Sequence, residues 1–185
     1  MRKNFGPKPI LYPQPVFIIA SYNEDGTANA MNAAWGGISE ENEISICVDS
    51  GHKTAENVIA RKAFTVSMGT VDMAAACDYV GVVSGRKVPD KLARCGFTTR
   101  KSEFVDAPII CELPMAVECR LKSYDSETCR MVGEVINVCA EESVLTDGKI
   151  DPAKLRPIIF DGVHHTYHVL GEVIGKAFSD GLKYK

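Results

Sequence analysis

The chain has 185 residues, of which 45% are hydrophobic and 24% charged, enough for one domain around a sizeable core and too apolar for disorder. With 21 basic and 24 acidic residues the net charge is -3, so no global field draws in nucleic acid or an anionic membrane. Seven cysteines, an odd number in a chain too long to need staples, read as reduced thiols, and the opening Met1 to Pro7 enters prolines where a signal peptide needs an apolar run, so the expectation is a cytoplasmic protein without a membrane span.

No repeat, linker or charge block divides the sequence, which predicts a single domain over 1–185. Val16 to Ala20 is a continuous apolar run closed by Asn23-Glu24-Asp25-Gly26, predicting a buried strand, a hairpin and a second strand from about Ala28. Ile44, Ile46 and Val48 alternate with Ser45, Cys47 and Asp49, as Phe64, Val66 and Met68 do with Thr65 and Ser67, the period of half-buried strands. Between them Ala55, Val58 and Ile59 fall at helical spacing, with the helix opening near Thr54. Met73, Ala76, Cys77 and Val80 mark a second helix, and Gly81 to Pro89 a loop. Met115, Val117, Cys119 and Leu121 alternate with Ala116, Glu118, Arg120 and Lys122, and a turn at Asp125-Ser126 leads to a partner strand over Arg130 to Ala140, a long half-wet hairpin. About six strands joined mostly by tight turns, against two or three short helices, predict a mainly β fold: an antiparallel barrel with helical inserts, not a doubly wound sheet.

Two segments carry ligand chemistry. Ser50-Gly51-His52-Lys53-Thr54-Ala55-Glu56-Asn57 sits where a strand becomes a helix, so free N–H groups, hydroxyls, a lysine and a histidine converge on a place for one anion; the alternative is a plain N-cap by Ser50 or Thr54 with a solvated lysine. It is not a P-loop, because His52 interrupts Gly-Lys-Thr and Ile46 stands where the earlier glycine belongs. Ala28 to Gly37 holds Asn29, Asn32 and the only tryptophan, Trp35, among residues small enough to let a flat ligand reach the backbone, or to let a neighbouring element pack closely.

Other constellations stay incomplete. His164-His165-Thr166-Tyr167-His168 has no carboxylate at zinc-helix spacing and the chain has no Cys-x-x-Cys, so the histidines read as a surface loop lining a ligand mouth and no metal is expected. Cys47 lies on the polar phase of its strand and Cys119 on the apolar phase of its own, neither with the flanks of a thiol enzyme, so both read as packing residues. Val82 replaces the first glycine of a serine-hydrolase elbow at Ser84-Gly85.

Taken in order, Ala28 to Trp35, Ser50 to Asn57, Ser84-Gly85 leading to Asp90-Lys91, Asp106 to Ile110 before a cysteine-containing strand, and Tyr167 to Gly175 resemble the flavin reductase-like branch of the FMN-binding split-barrel family, which includes flavoredoxin-type proteins. The resemblance covers most of the chain. It implies a six-stranded antiparallel split barrel, a homodimer, and FMN held noncovalently near the dimer interface. It places Asn32, Ala33, Ala34 and Trp35 against the isoalloxazine, and Ser50, Gly51, His52, Lys53, Thr54 and Asn57 around the phosphate, with His52 where relatives often have arginine. It brings in Ser84, Lys91 and Tyr167 as further cofactor contacts. The implied activity is NAD(P)H-dependent flavin or ferric reduction with the chemistry carried by FMN and no catalytic side chain; a flavoredoxin-type electron carrier reduced by a partner protein is the alternative.

Overall fold

In the computed structural model, which describes residues 1–185, β1 (Gln14–Pro15) leads into β2 (Phe17–Tyr22), which turns back into β3 (Ala28–Ala33). The turn is held by Asp25, whose carboxylate accepts from the Thr27 N–H at 2.9 Å and hydroxyl at 2.6 Å. Next come β4 (Gly36–Glu40), β5 (Glu43–Cys47), α1 (Lys53–Arg61), β6 (Ala63–Met68), α2 (Ala74–Val82) and α3 (Lys91–Arg94). β7 (Thr99–Lys101) and β8 (Pro108–Ile110) pair with each other, and β9 (Met115–Asp125) and β10 (Arg130–Ala140) form the long hairpin. The chain ends through β11 (Leu145–Thr146), β12 (Lys149–Ile150), α4 (Pro152–Leu155), β13 (Ile158–Asp161), β14 (Thr166–Val169) and a tail closing in a short 3-10 turn over Asp180–Tyr184.

The main sheet is antiparallel, in the order β3-β2-β6-β9-β10-β5-β4. Its two edge strands are consecutive in the chain, separated only by Ala34 and Trp35. One extended run therefore pairs with β2 through its first half and with β5 through its second, so the seven segments amount to six barrel strands with a split at the Ala34-Trp35 bend. The Trp35 carbonyl accepts from the Cys47 N–H at 2.8 Å and holds that bend to β5. Small residues on both sides, Ala33, Ala34, Gly36 and Gly37, allow the change of direction.

Two cores lie on opposite faces of the curled sheet. Inside are Ile19, Ile44, Ile46, Val48, Phe64, Val66, Cys119 and Met131, closed by Ala55 and Val58 of α1. Outside, Val16, Ile18, Ala20 and Ala30 pack under Ala76, Cys77 and Val80 of α2, with Leu92, Phe97, Ile110 and Ile158. β6 lies between both and is buried on both faces, where alternation predicts only one: Thr65 turns under β8 and its hydroxyl donates to the Pro108 carbonyl at 2.6 Å. β9 departs from its pattern too. Glu118, on the polar phase, is fully buried and accepts from the Ser102 hydroxyl and, at 2.6 Å, from Asn137 Nδ2, so only the far end of the hairpin is wet. No helix is long and apolar enough to cross a membrane.

Candidate functional site

β3 pairs with β2 on one side only, and α2 and the loop that follows pack against it, Ala30 under α2, Gly81 against Asn32 and Gly85 against Asn29. Asn32, Ala33 and Ala34 line a pocket of about 450 Å³ whose other walls are Asp78, Gly81 and Val82 of α2 and Phe160, His165 and Tyr167 of the β13–β14 hairpin. Asn32 Nδ2 donates to the Cys77 carbonyl at 3.1 Å and makes a long 3.5 Å contact to the Tyr167 hydroxyl, which donates to Asp78 Oδ1 at 2.7 Å. Burial, and then the Asp78 carboxylate that accepts this hydrogen bond, push the Tyr167 phenol up to about 12, so it stays a neutral donor at physiological pH. Gly81 is where α2 meets the strand: a Cβ there would stand 2.8 Å from Asn32 Cβ.

Three residues back along β3, about 10 Å at ordinary strand rise, the Asn29 Nδ2 donates at 2.8 Å to the hydroxyl of Thr54. Thr54 is 2% exposed; its oxygen is engaged by Asn29 and its proton has no acceptor. Thr54 is the second residue of α1, whose first-turn N–H groups lack intrahelical carbonyls. His52 is the N-cap residue but makes no side-chain cap, and neither Ser50 nor Thr54 caps the helix. The turn before it is set by Asp49, which accepts from the Gly51 N–H at 2.8 Å. Lys53 Nζ lies 2.6 Å from Glu56, and the same carboxylate is 2.8 Å from Arg86. Ser50, Gly51 and His52 are exposed, whereas Asn57 is buried and donates at 2.8 Å to Asn23, tying α1 to the first hairpin.

The loop after α2 joins these two regions. A Cβ on Gly85 would stand 2.3 Å from Asn29 Oδ1, so only glycine lets the loop lie this close to the Asn29–Thr54 pair. Ser84 accepts from the Arg86 N–H at 3.3 Å. Lys91 is 3% exposed; its Nζ donates to the carbonyls of Val80 and Val83, each at 2.9 Å, at the end of α2, which leaves one of its three protons uncommitted.

The sequence-predicted residues thus fall into two clusters that β3 connects: Asn32, Ala33, Ala34 and Tyr167 at the pocket, and Lys53 and Thr54 with Ser84 nearby at the helix start. Trp35, 55% exposed, faces a neighbouring cavity of about 490 Å³ beneath the N-terminal segment, which it shares with Ala34, Cys47 and Arg130. Asp78, Gly81, Val82 and Phe160 escaped sequence reasoning, although 78, 81 and 82 are the helix face left over once Ala76, Cys77 and Val80 enter the core. Of the histidines, His165 lines the pocket, while His164 Nδ1 pairs with Asp161 at 2.6 Å and His168 stands 3.9 Å from it. Tyr12 donates to the other Asp161 oxygen at 2.5 Å, and these bonds hold that carboxylate well below the usual range. Cys119 is packed as expected, its thiol pushed up to about 12 by burial, but Cys47 is exposed because the polar phase of β5 faces the second cavity.

The donor set suits an elongated ligand with a flat head and an anionic tail. The pocket contributes an amide, a neutral phenol and small side chains; the helix start contributes N–H groups, a free hydroxyl proton and two cations. The pocket at Asn32 holds one carboxylate, Asp78, and no thiol.

Comparison with known proteins identifies the fold and the family. Flavoredoxin of Desulfovibrio vulgaris (Miyazaki F) superposes with a TM-score of 0.94 at 36% identity, over 98% of this chain and 100% of that one. Flavoredoxin from Methanosarcina acetivorans gives 0.90 at 27% identity, with both chains fully covered. An FMN-binding domain of a flavin reductases-like enzyme from Shewanella baltica OS155 shares the fold, with a TM-score of 0.77 at 21% identity over 88% of this chain and 89% of that one. Residues 10–158, which include both clusters and the pocket walls except Phe160, His165 and Tyr167, match the model of the flavin reductase like domain, and the chain belongs to that family.

Proposed function

We propose that the protein binds FMN along the free edge of β3 and acts as an NAD(P)H-dependent flavin or ferric reductase. The observation that carries this reading is that β3 joins a flat pocket at Asn32–Ala34 to an anion-accepting helix start at Lys53–Thr54, which it reaches through Asn29. FMN, when bound, would supply the redox chemistry: uptake of a hydride, two electrons and a proton, from a nicotinamide, and delivery of those electrons to a second flavin or, one each, to two ferric complexes. The residues of the chain bind and orient. Ala33 and Ala34 let the ring system approach the backbone, Asn32 and Tyr167 offer hydrogen bonds to its edge, and Lys53, the Thr54 hydroxyl and the α1 N–H groups receive the phosphate. Ser50, Gly51, His52 and Asn57 shape that turn, and the spare proton of Lys91 is directed from within. Trp35 borders the ring from the far side of Ala34.

A second reading is a flavoredoxin-type carrier that a partner protein reduces, supported by the 36% identity with a flavoredoxin. An absorption spectrum of the FMN-loaded, desalted protein, followed without oxygen after NADH and then NADPH, separates the two. Rapid bleaching of retained flavin is the result expected of a reductase; retained flavin that stays yellow makes the protein a carrier; failure to retain or bind FMN overturns both.

We further propose a homodimer. The tail beyond β14, which itself borders the pocket, leaves the body of the protein with Val173, Ile174 and Phe178 at 94%, 100% and 103% exposure, so these side chains touch nothing in their own chain. Apolar side chains held out in this way are stabilised by burial in a partner. Deleting residues 171–185 is expected to convert a dimer to a monomer in light scattering; a truncated protein that remains dimeric removes the tail from the interface.

A further inference from the structure

At the start of α1 one carboxylate occupies two cations. Glu56 Oε1 lies 2.6 Å from Lys53 Nζ and Glu56 Oε2 lies 2.8 Å from Arg86 Nη2, so each cation is paired through one of the two carboxylate oxygens. Arg86 reaches this place because Gly85 lies against Asn29, the residue that holds Thr54. The Thr54 hydroxyl, 2% exposed, accepts from Asn29 and keeps its own proton available in the same first turn.

We propose that Glu56 is a surrogate anion: it holds Lys53 and Arg86 over the start of α1 and yields both to the phosphate of the incoming cofactor, so that it sets how strongly the site prefers a phosphorylated flavin over an unphosphorylated one. The inference rests on the FMN reading above and deepens it by adding Arg86 as a phosphate-binding cation and Glu56 as a specificity-determining residue. The exchange is charge-balanced. Two cations paired with one carboxylate carry an excess positive charge that a dianionic phosphate satisfies better, and the guanidinium fork suits two phosphate oxygens. The displaced carboxylate is half exposed and can be solvated. Lys53, and after it Arg86, hold Glu56 below the usual carboxylate range, so it remains an ionised competitor at neutral pH.

The test is a binding titration of the apoprotein with FMN and with riboflavin, which has the same ring and ribityl chain but no phosphate. Glu56→Gln is expected to tighten FMN by about five- to tenfold at low salt, through loss of the competing charge, with riboflavin unchanged and the gain shrinking as ionic strength rises. Arg86→Ala is expected to weaken FMN by about tenfold and to remove most of the gain when combined with Glu56→Gln. If Glu56 merely aligns Lys53, Glu56→Gln weakens FMN; that result, no change, or an equal effect on riboflavin overturns the inference while leaving FMN binding standing. A wild-type protein that binds neither flavin removes the premise.

Discussion

Replacing Lys53 by alanine and Thr54 by valine together is expected to weaken FMN by about 2 to 4 kcal/mol, roughly 30- to 1000-fold in Kd, with riboflavin much less affected. The lysine supplies a charge-assisted contact and the hydroxyl a proton that the structure leaves without an acceptor. Lys53→Ala also leaves Glu56 with Arg86 alone, keeping a negative charge beside the phosphate. Thr54→Val keeps the shape but takes the acceptor from the buried Asn29 amide, which costs stability of about 1 to 3 kcal/mol. Affinity and stability are therefore measured separately, by titration and by denaturant unfolding. An FMN affinity that stays within twofold in a folded double variant moves the phosphate away from α1.

Where the chemistry is local, the sequence was legible. The apolar run before Asn23–Gly26 and the Asp25 turn make the β2–β3 hairpin readable from local sequence, and Ile44, Ile46 and Val48 point inward as their alternation requires. Pattern fails where a distant segment decides burial. β6 is covered on its polar phase by β8, over 40 residues later, and Glu118 is buried because Ser102 and Asn137 arrive to satisfy it. The split of one run between two sheet edges is likewise invisible in Ala28–Glu40, where small residues permit a bend but do not say what pairs with each half. The candidate site divides in the same way. Asn32–Ala34 and the start of α1 are readable as backbone made accessible by small residues and a strand-to-helix junction. Asp78, Phe160 and the Glu56–Arg86 pair are tertiary neighbours, brought in by the packing of α2, by the β13–β14 hairpin and by the close approach at Gly85.

The site also leaves a signature in the pH dependence of stability. Lys91 is buried against the end of α2, and burial pulls its ammonium from 10.5 to about 8 despite the two carbonyls it bonds. Between those values the unfolded chain holds a proton that the folded chain has released, so stability rises with pH across that window. Below about pH 8 both states are protonated and the full cost of the buried charge, roughly 3 kcal/mol, is present; above about 10.5 both are neutral and the cost is gone. In the apoprotein the stability of wild type relative to Lys91→Met is therefore expected to improve by roughly that amount between pH 7 and 11, the titration of all other groups cancelling in the difference. Denaturant midpoints across that range measure it, and a difference that does not change with pH shows the charge to be hydrated or paired. Loading with FMN turns the same measurement on the site. An anion against the third Lys91 proton stabilises the ammonium, so the slope between pH 8 and 10.5 should flatten; a slope that survives loading leaves Lys91 as a helix cap facing Val80 and Val83, and withdraws it from the cofactor contacts.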